Sequence, residues 1–425
     1  MWRLSFIFTC LFLSIPCFAD TFTHRRTGEA FHGYATQRKQ GDKTIVRIGN
    51  KTKPRYLNIA DYDIEWNYTG RRNRVIVLPV KNEIELECET EAFEKAIETA
   101  SNQGPLLILI EIDTPGGRGS MMKRICTAIT KTNNCRTVAF VCGGKYGGAY
   151  SAGAIIALAC DYIYMADNTA IGAATGVLRT SSGIKDLKSV LGETVGEKFA
   201  SAARAYIAAI AEQNNRSGLL AKAMVDKDIE VLEVTEEGKS VFIEPQNKKT
   251  DQSVLHVWSK KGSLLTLTAA EAVECGMADK LIGSLKELTS ELSLTKARIV
   301  KNNSILKARR KFEASEQKLE KIYAKIDLHK KRLGSLREQA NSLVDEYNRL
   351  NHSYACNRGR LMREIAADRK QLLYSSSGIL KKLISEYKAV IDLKELHTDL
   401  QVDIVAFKKA INSAKVERKE IEDVH

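Results

Sequence analysis

The chain has 425 residues, 44% of them hydrophobic and 28% charged, with a formal net charge of +13. That length suggests roughly two to four domains, and the apolar fraction is ample for packed cores, which excludes a wholly disordered chain. The charge alone does not name a partner, because composition does not say whether it is clustered.

Met1 to Ala19 reads as a secretory signal peptide: Arg3, an almost wholly apolar run from Leu4 to Ile15, then Pro16-Cys17-Phe18-Ala19 before Asp20. Cleavage after Ala19 leaves small residues at both recognition positions. Lipid attachment at Cys17 is disfavoured by Pro16, and the apolar run is short for an uncleaved anchor. No other stretch approaches membrane-spanning length, so an exported, periplasmic protein is expected. Residues 20–70 read as a small β module of SH3-like type. Ala30–Ala35, Thr44–Ile48 and Arg55–Ile59 are short strand-like segments punctuated by Gly28, Gly41-Asp42 and Gly49-Asn50. Its basic residues, Arg25, Arg26, Arg38, Lys39, Lys51, Lys53 and Arg55, read as the solvated face of a docking module.

From Asn73, strand and helix patterns alternate. Arg74–Val80 is a buried strand, and Glu91–Ser101 is a helix with Phe93, Ala96, Ile97 and Ala100 on one face. Leu106–Ile112 is a strand without polar interruption except Glu111, as in a parallel sheet covered on both faces. It ends in Asp113-Thr114-Pro115-Gly116-Gly117, and a helix with Met121, Met122, Ile125, Cys126 and Ile129 follows. Thr137–Cys142 is another strand, and then comes Gly143-Gly144-Lys145-Tyr146-Gly147-Gly148-Ala149-Tyr150-Ser151-Ala152-Gly153, followed by the apolar helix Ala154–Cys160. Ser151 therefore stands at or beside a helix N-terminus, where unpaired N–H groups and the dipole favour an anion. That is the setting of a nucleophile; the plainer alternative is a small packing residue between close elements. Gly116 and Gly117 let backbone N–H groups approach a ligand, and with the N–H of Ala152 they make a credible oxyanion hole. Tyr162–Met165 is the next strand. Val231–Val234, Ser240–Ile243 and Leu255–Trp258 form a β-rich excursion whose exposed tip is Lys248–Ser253, and a helix from Thr268 closes the core.

These motifs together resemble the NfeD branch of the Clp-protease class of serine peptidases and, more distantly, signal peptide peptidase. The resemblance runs from about Asn73 to Leu292. It rests on Asp113–Gly117, Tyr150–Ala154 and Ile171–Ala174, and continues into Gly196-Glu197-Lys198, Ala205–Ile207, Ala223–Asp226 and Leu265–Ala272. It implies an α/β, ClpP/crotonase-like core of stacked β-β-α units and a serine–lysine dyad. No histidine lies between Ser151 and His256, so a base of another kind is needed. Lysine serves where apolar surroundings favour the neutral amine. Lys198 opens a helix of small and apolar residues and falls where the family places its lysine; a snorkelling surface lysine is the alternative. Lys185 and Lys188 lie in a polar stretch, and Lys145 lies in the glycine loop.

Nine cysteines leave seven after the leader, without metal-ligand spacing. Cys126 and Cys135 flank a short connection and could pair. Cys142 ends a strand without a histidine partner and is not a candidate nucleophile.

From residue 293 to 425 the pattern is an α-helical coiled coil. Phe312, Ser315, Leu319, Ile322, Ile326, His329, Leu333, Leu336, Ala340, Leu343, Tyr347, Leu350 and Tyr354 alternate steps of three and four. A second run takes in Ile379, Leu383, Val390, Leu393, His397, Leu400, Ile404, Phe407, Ile411 and Ala414, with breaks expected at Gly359 and Ser375–Gly378. An antiparallel hairpin is the first expectation and a self-associating parallel bundle the alternative. Residues 286–425 hold 30 Lys/Arg and 20 Asp/Glu, interspersed as on a solvated face.

The domains expected are thus 1–19, 20–70, 73–292 and 293–425. The function expected is that of an exported serine endopeptidase, with Ser151 and Lys198 catalytic and Gly116, Gly117 and Ala152 holding the oxyanion. Its partners would be a protein or peptide substrate, further copies of the chain and a coiled-coil protein, with no nucleic acid, metal or cofactor. Two other classes share the features: a crotonase-type acyl-CoA enzyme, disfavoured by export, and a non-catalytic scaffold acting through its coiled coil.

Overall fold

The computed structural model describes residues 20–47, 55–65, 74–132, 135–180, 183–292, 294, 297–352 and 357–423. The expected leader lies outside them. The described residues divide between one unit within 1–85 and 89–306 and another within 86–88 and 307–425.

The first unit begins with strands β1 (Asp20–His24), β2 (Ala30–Gln40), β3 (Lys43–Arg47), β4 (Arg55–Leu57) and β5 (Tyr62–Glu65). They form an antiparallel sheet in the order β4-β3-β2-β1-β5. Its small core is aromatic: Phe22 is fully buried and stacks on Phe31 at 5.1 Å, with Tyr62 edge-on to both. The first and last strands were not evident from the sequence, because Asp20–His24 and Tyr62–Glu65 are short and polar.

The larger part of this unit alternates strand and helix. In order come β6 (Arg74–Val80), α1 (Glu87–Asn102), β7 (Leu107–Ile112), α2 (Gly119–Thr130), β8 (Arg136–Val141), β9 (Gly148–Tyr150), α3 (Ala152–Leu158), β10 (Tyr162–Met165) and β11 (Ala170–Gly172). The hairpin β12 (Val177–Thr180) and β13 (Gly183–Asp186) follows, then α4 (Leu187–Leu191), α5 (Glu193–Gln213) and α6 (Gly218–Val225). The chain continues through β14 (Val231–Glu236), β15 (Lys239–Ile243), β16 (Val254–Ser259), β17 (Thr266–Thr268), α7 (Ala269–Glu274), β18 (Lys280–Leu281), α8 (Leu285–Glu291) and β19 (Arg298–Lys301).

Six strands make one parallel sheet, β18-β10-β8-β7-β6-β19. Parallel strands are buried on both faces, which is why Leu107–Ile112 carries no polar alternation. Even-numbered residues of β7 enter the large core with Ile76, Leu78, Phe93 and Ile129; Leu107 and Leu109 enter a smaller one with Val75, Phe140 and Leu288. Each fully buried Ile or Leu contributes about 1.5–3 kcal/mol relative to exposure. Main-sheet strand, short second strand or bridge, then helix is the repeating unit, so the core is α/β with stacked β-β-α units. The excursion β15-β14-β16 forms its own antiparallel sheet.

The sheet extends beyond the boundary expected at 292. β19 pairs with β6, Asn302 donates its N–H to Val77, and Ile305 is buried in the large core. The Cys126–Cys135 pairing that the sequence allowed is not formed, and both are free thiols. The Cys126 sulfur is 3.7 Å from the Met122 sulfur, and burial pushes its pKa up to about 12.

The second unit contains most of α9 (Ser304–Asn351), α10 (Arg358–Leu396) and α11 (Ile404–Asp423). α10 runs antiparallel to α9: Phe312 meets His397, and Lys325 pairs with Glu386. α11 runs in the direction of α9, with Tyr323 stacked on Phe407 and Arg337 paired with Glu417. Heptad residues Phe312, Leu319, Ile322, Ile326, Leu333, Leu383 and Val390 share one core. The break expected at Ser375–Gly378 is absent, because Ser375 and Ser376 hydroxyls donate to the carbonyls of Gln371 and Leu372 within a continuous helix. The chain turns instead after His397, where Lys394 Nζ donates to the carbonyls of Thr398 and Leu400.

Two outcomes are expected. A chain ending at Leu306 melts at a higher temperature than one ending at Leu292, which lacks β19 and the buried Ile305; equal midpoints by circular dichroism would contradict the pairing. In the native protein Cys126 resists iodoacetamide at neutral pH, since its thiol stays protonated. Prompt alkylation of Cys126, located by peptide mapping, would show that it is not buried.

Candidate active site

A second ladder of short strands carries the candidate residues. Ile84 bridges Gly117, Thr114 bridges Ala149, β9 pairs with β11 in parallel, and β11 pairs with β17. Each successive unit thus contributes one short segment at the C-terminal end of its main-sheet strand. Ser151 is the N-cap of α3, with φ 53° and ψ −120°. A non-glycine residue at positive φ is strained by about 1–3 kcal/mol and persists only where its surroundings enforce it. Three backbone bonds enforce it here. Tyr150 donates to the Thr114 carbonyl at 3.1 Å, Ser151 to the Gly172 carbonyl at 2.9 Å, and Ala154 to the Ser151 carbonyl at 3.1 Å. α3 is apolar all round, with every residue buried, so it cannot shift to relieve the turn. The Ser151 side chain makes no capping hydrogen bond and is half-buried.

Gly116 lies directly against this serine. A Cβ at Gly116 would stand 2.5 Å from Ser151 Cβ and 2.9 Å from its Oγ, so only glycine fits. The sequence placed Gly116, Gly117 and Ala152 in one oxyanion hole, but their donors are not equivalent. The Gly116 N–H already donates to Thr114 Oγ1 at 3.1 Å. Among the described residues no acceptor takes the N–H of Gly117, or that of Ala152, the first residue of α3. Asp113, buried, accepts the N–H groups of Tyr146 and Gly148 at 3.3 Å and so fixes the glycine loop that leads to Ser151. The roles of Asp113 and Thr114 were missed from the sequence. A carboxylate directly after a buried strand needs nearby donors, and a glycine-rich loop is a ready source of them.

Lys198 makes no direct contact that would mark it as the partner of Ser151 among the hydrogen bonds of the described residues. It stands exposed in the first half of α5. The apolar surround expected from the sequence is absent, because neighbouring Phe199 is 56% exposed. Apart from Gly196, the buried part of α5 is its second half, Ile207, Ala208, Ile210 and Ala211, and Asn214 Nδ2 donates to the Leu158 carbonyl at the far end of α3. Arg204 anchors the first half by pairing with Glu197 and with Asp226, the C-cap of α6. Lys185 and Lys145 are exposed, the latter over the Tyr146 ring; the Lys188 side chain is not described.

Two other groups near the site are unsuited to nucleophile or base. Burial pushes the Cys142 thiol up, and its sulfur points at the Ile112 carbonyl at 3.6 Å. Burial works against the Lys81 charge, but the Glu111 carboxylate at 2.8 Å, with Cys142 and Asp113 beyond it, holds its pKa above the usual lysine value. No group of three or more His, Cys, Asp or Glu able to hold a metal ion occurs among the described residues.

The family described as "NfeD1b, N-terminal domain" matches residues 74–250. The membrane protein NfeD1b of Bacillus subtilis is 28% identical over 236 residues, 56% of this chain and 45% of that protein. The membrane-bound protease PH1510 of Pyrococcus horikoshii is 29% identical over 158 residues, 37% of this chain and 34% of that protein. The chain therefore spans less than half the length of these curated relatives. Among solved structures, the 1510-N membrane-bound stomatin-specific protease with a serine-to-alanine mutation is 22% identical. That match covers 54% of this chain and 98% of the other, at a TM-score of 0.40. Over residues 74–250 the chain is similar to the NfeD1b N-terminal domain, and the expected resemblance to NfeD-type proteins is found there.

Proposed function

We propose that the chain is an exported serine endopeptidase in which Ser151 is the nucleophile and Lys198 the general base. The observation that carries this reading is the strained backbone of Ser151 at the start of α3, with the Gly116 backbone against its side chain. The same strand–turn–helix arrangement exposes the nucleophile in other serine hydrolases. A relative named as a membrane-bound protease supports the reaction class.

Ser151 Oγ attacks a peptide carbonyl carbon, and its proton passes to neutral Lys198 Nζ. The carbonyl oxygen becomes an oxyanion that accepts from the free N–H of Gly117 and of Ala152. Collapse breaks the C–N bond, and the leaving amine takes the proton from Lys198. Water, deprotonated by the same amine, then releases the acyl group and restores Ser151. With Lys198 exposed in the isolated chain, the base works only once substrate or a second copy of the chain covers it, which is why a homo-oligomer belongs to this proposal. Substrates are peptide segments of membrane-associated proteins, by analogy with relatives named for the membrane. Among the described residues no helix is long and apolar enough to cross a membrane. The leader-like residues 1–19 support a periplasmic location, and the helical second unit would dock a helical protein partner.

A non-catalytic scaffold is the second reading, and the exposure of Lys198 is what favours it. Hydrolysis of a fluorogenic peptide library separates the two. Ser151→Ala is expected to abolish turnover, and Lys198→Ala to lower it by about 10²–10⁴-fold. Lys198→Arg does not rescue, since a guanidinium stays protonated. Activity rises with pH to an alkaline plateau, because the base acts only when deprotonated, and Lys185→Ala has little effect. Near-native hydrolysis by Lys198→Ala with an unchanged circular dichroism spectrum removes the dyad; no hydrolysis by the wild-type chain under any condition leaves the scaffold.

A further inference from the structure

Thr114 is fully buried between the two loops that meet at Ser151. Its backbone bridges Ala149: its N–H donates to the Gly148 carbonyl at 2.9 Å and its carbonyl accepts from Tyr150 at 3.1 Å. Its side chain does something separate. Oγ1 donates to the Asn82 carbonyl at 2.6 Å, which commits its single proton, and accepts the Gly116 N–H at 3.1 Å with a lone pair. Its methyl group faces α3, where a Cβ at Gly153 would stand 2.4 Å from Thr114 Cγ2. One β-branched side chain therefore touches the loop after β6, the glycine turn after β7 and the first turn of α3.

We propose that Thr114 is a positioning residue for the oxyanion hole. Its hydroxyl takes up the Gly116 N–H and so holds the turn in the conformation that leaves the Gly117 N–H free, while its methyl group fixes the distance from that turn to the start of α3. This rests on the peptidase reading, in which Gly117 and Ala152 supply the two donors, and it goes further by naming what sets their separation. Serine could keep the hydroxyl bonds and valine could keep the methyl contact; only threonine does both. A buried hydroxyl bridging two backbone groups has no slack, because losing it leaves a donor and an acceptor unpaired in the interior. Oxyanion donors act through their preset distance to the developing charge, so a displacement of about 1 Å costs roughly a hundredfold in rate.

The test uses the full chain and the rate of phosphonylation by a fluorophosphonate probe, whose P–O group occupies the oxyanion position in the adduct. Thr114→Val is expected to slow labelling by about ten- to a hundredfold. In a Ser151→Ala background the same Thr114→Val change should leave peptide binding, measured by fluorescence polarisation, within about twofold, since ground-state binding does not need the oxyanion donors. Thr114→Ser, which keeps the hydroxyl bonds and loses the methyl contact, should recover part of the rate. A merely structural role would lower binding and rate together. Labelling of Thr114→Val at the native rate, or of Thr114→Ser as slowly as Thr114→Val, overturns the proposal. Should Thr114→Val not fold, hydrogen exchange of the native protein decides: the Gly116 amide is expected to be protected and the Gly117 amide to exchange quickly, and equal exchange at both overturns the proposal. Wild-type protein that fails to label at all refutes the peptidase reading, while the exchange measurement still tests the Thr114 anchor.

Discussion

The backbone of Ser151, held at positive φ between a short parallel strand and a buried helix, is the constraint on which the rest of the site depends. Free of its surroundings the residue would relax, because a side chain at φ 53° crowds its own backbone. Relaxation would break the pairing of β9 with β11 or pull α3 out of the large core, and each is worth more than the strain. Arg216 closes the back of this arrangement. It is buried, and it donates to the carbonyls of Cys160 and Met277 and to the Asp279 carboxylate, locking the end of α3 to the strands beyond. The tension at the front of the helix is thus balanced by fixed contacts at its end.

Rigidity is unevenly distributed between the two proposed catalytic groups. Ser151 stands against the buried Gly116 and at the start of α3, every residue of which is buried. Lys198 lies on a helix whose first half is exposed and held chiefly by Arg204.

Much of this was legible in the sequence because its signals are local. The apolar run before Asp113, broken only by Glu111, marked a strand buried on both faces, and the glycine loop followed by Ser151 and an apolar run marked the serine at a helix start. Heptad spacing marked the buried seam of the last unit at Phe312, Leu319 and Ile322. Other features depend on contacts between distant residues. Nothing local to Arg298–Lys301 says that it joins the main sheet beside Arg74–Val77. The alanines around Lys198 read as a buried helix, but which half of α5 is covered depends on where α3 ends. The hydroxyls of Ser375 and Ser376 suggested a break and instead bond back within the helix. The distinction between the Gly116 and Gly117 donors depends on one side chain two residues upstream, which motif spacing does not weigh.

The most direct measurement is the site of covalent modification. Folded wild-type protein is treated with a fluorophosphonate probe at alkaline pH, and the adduct is located by peptide mass spectrometry, with Ser151→Ala as the control. A single adduct on Ser151 that is absent from the control is the expected result. An unlabelled wild-type protein, or an adduct that survives in Ser151→Ala, would contradict the assignment of Ser151 as the nucleophile.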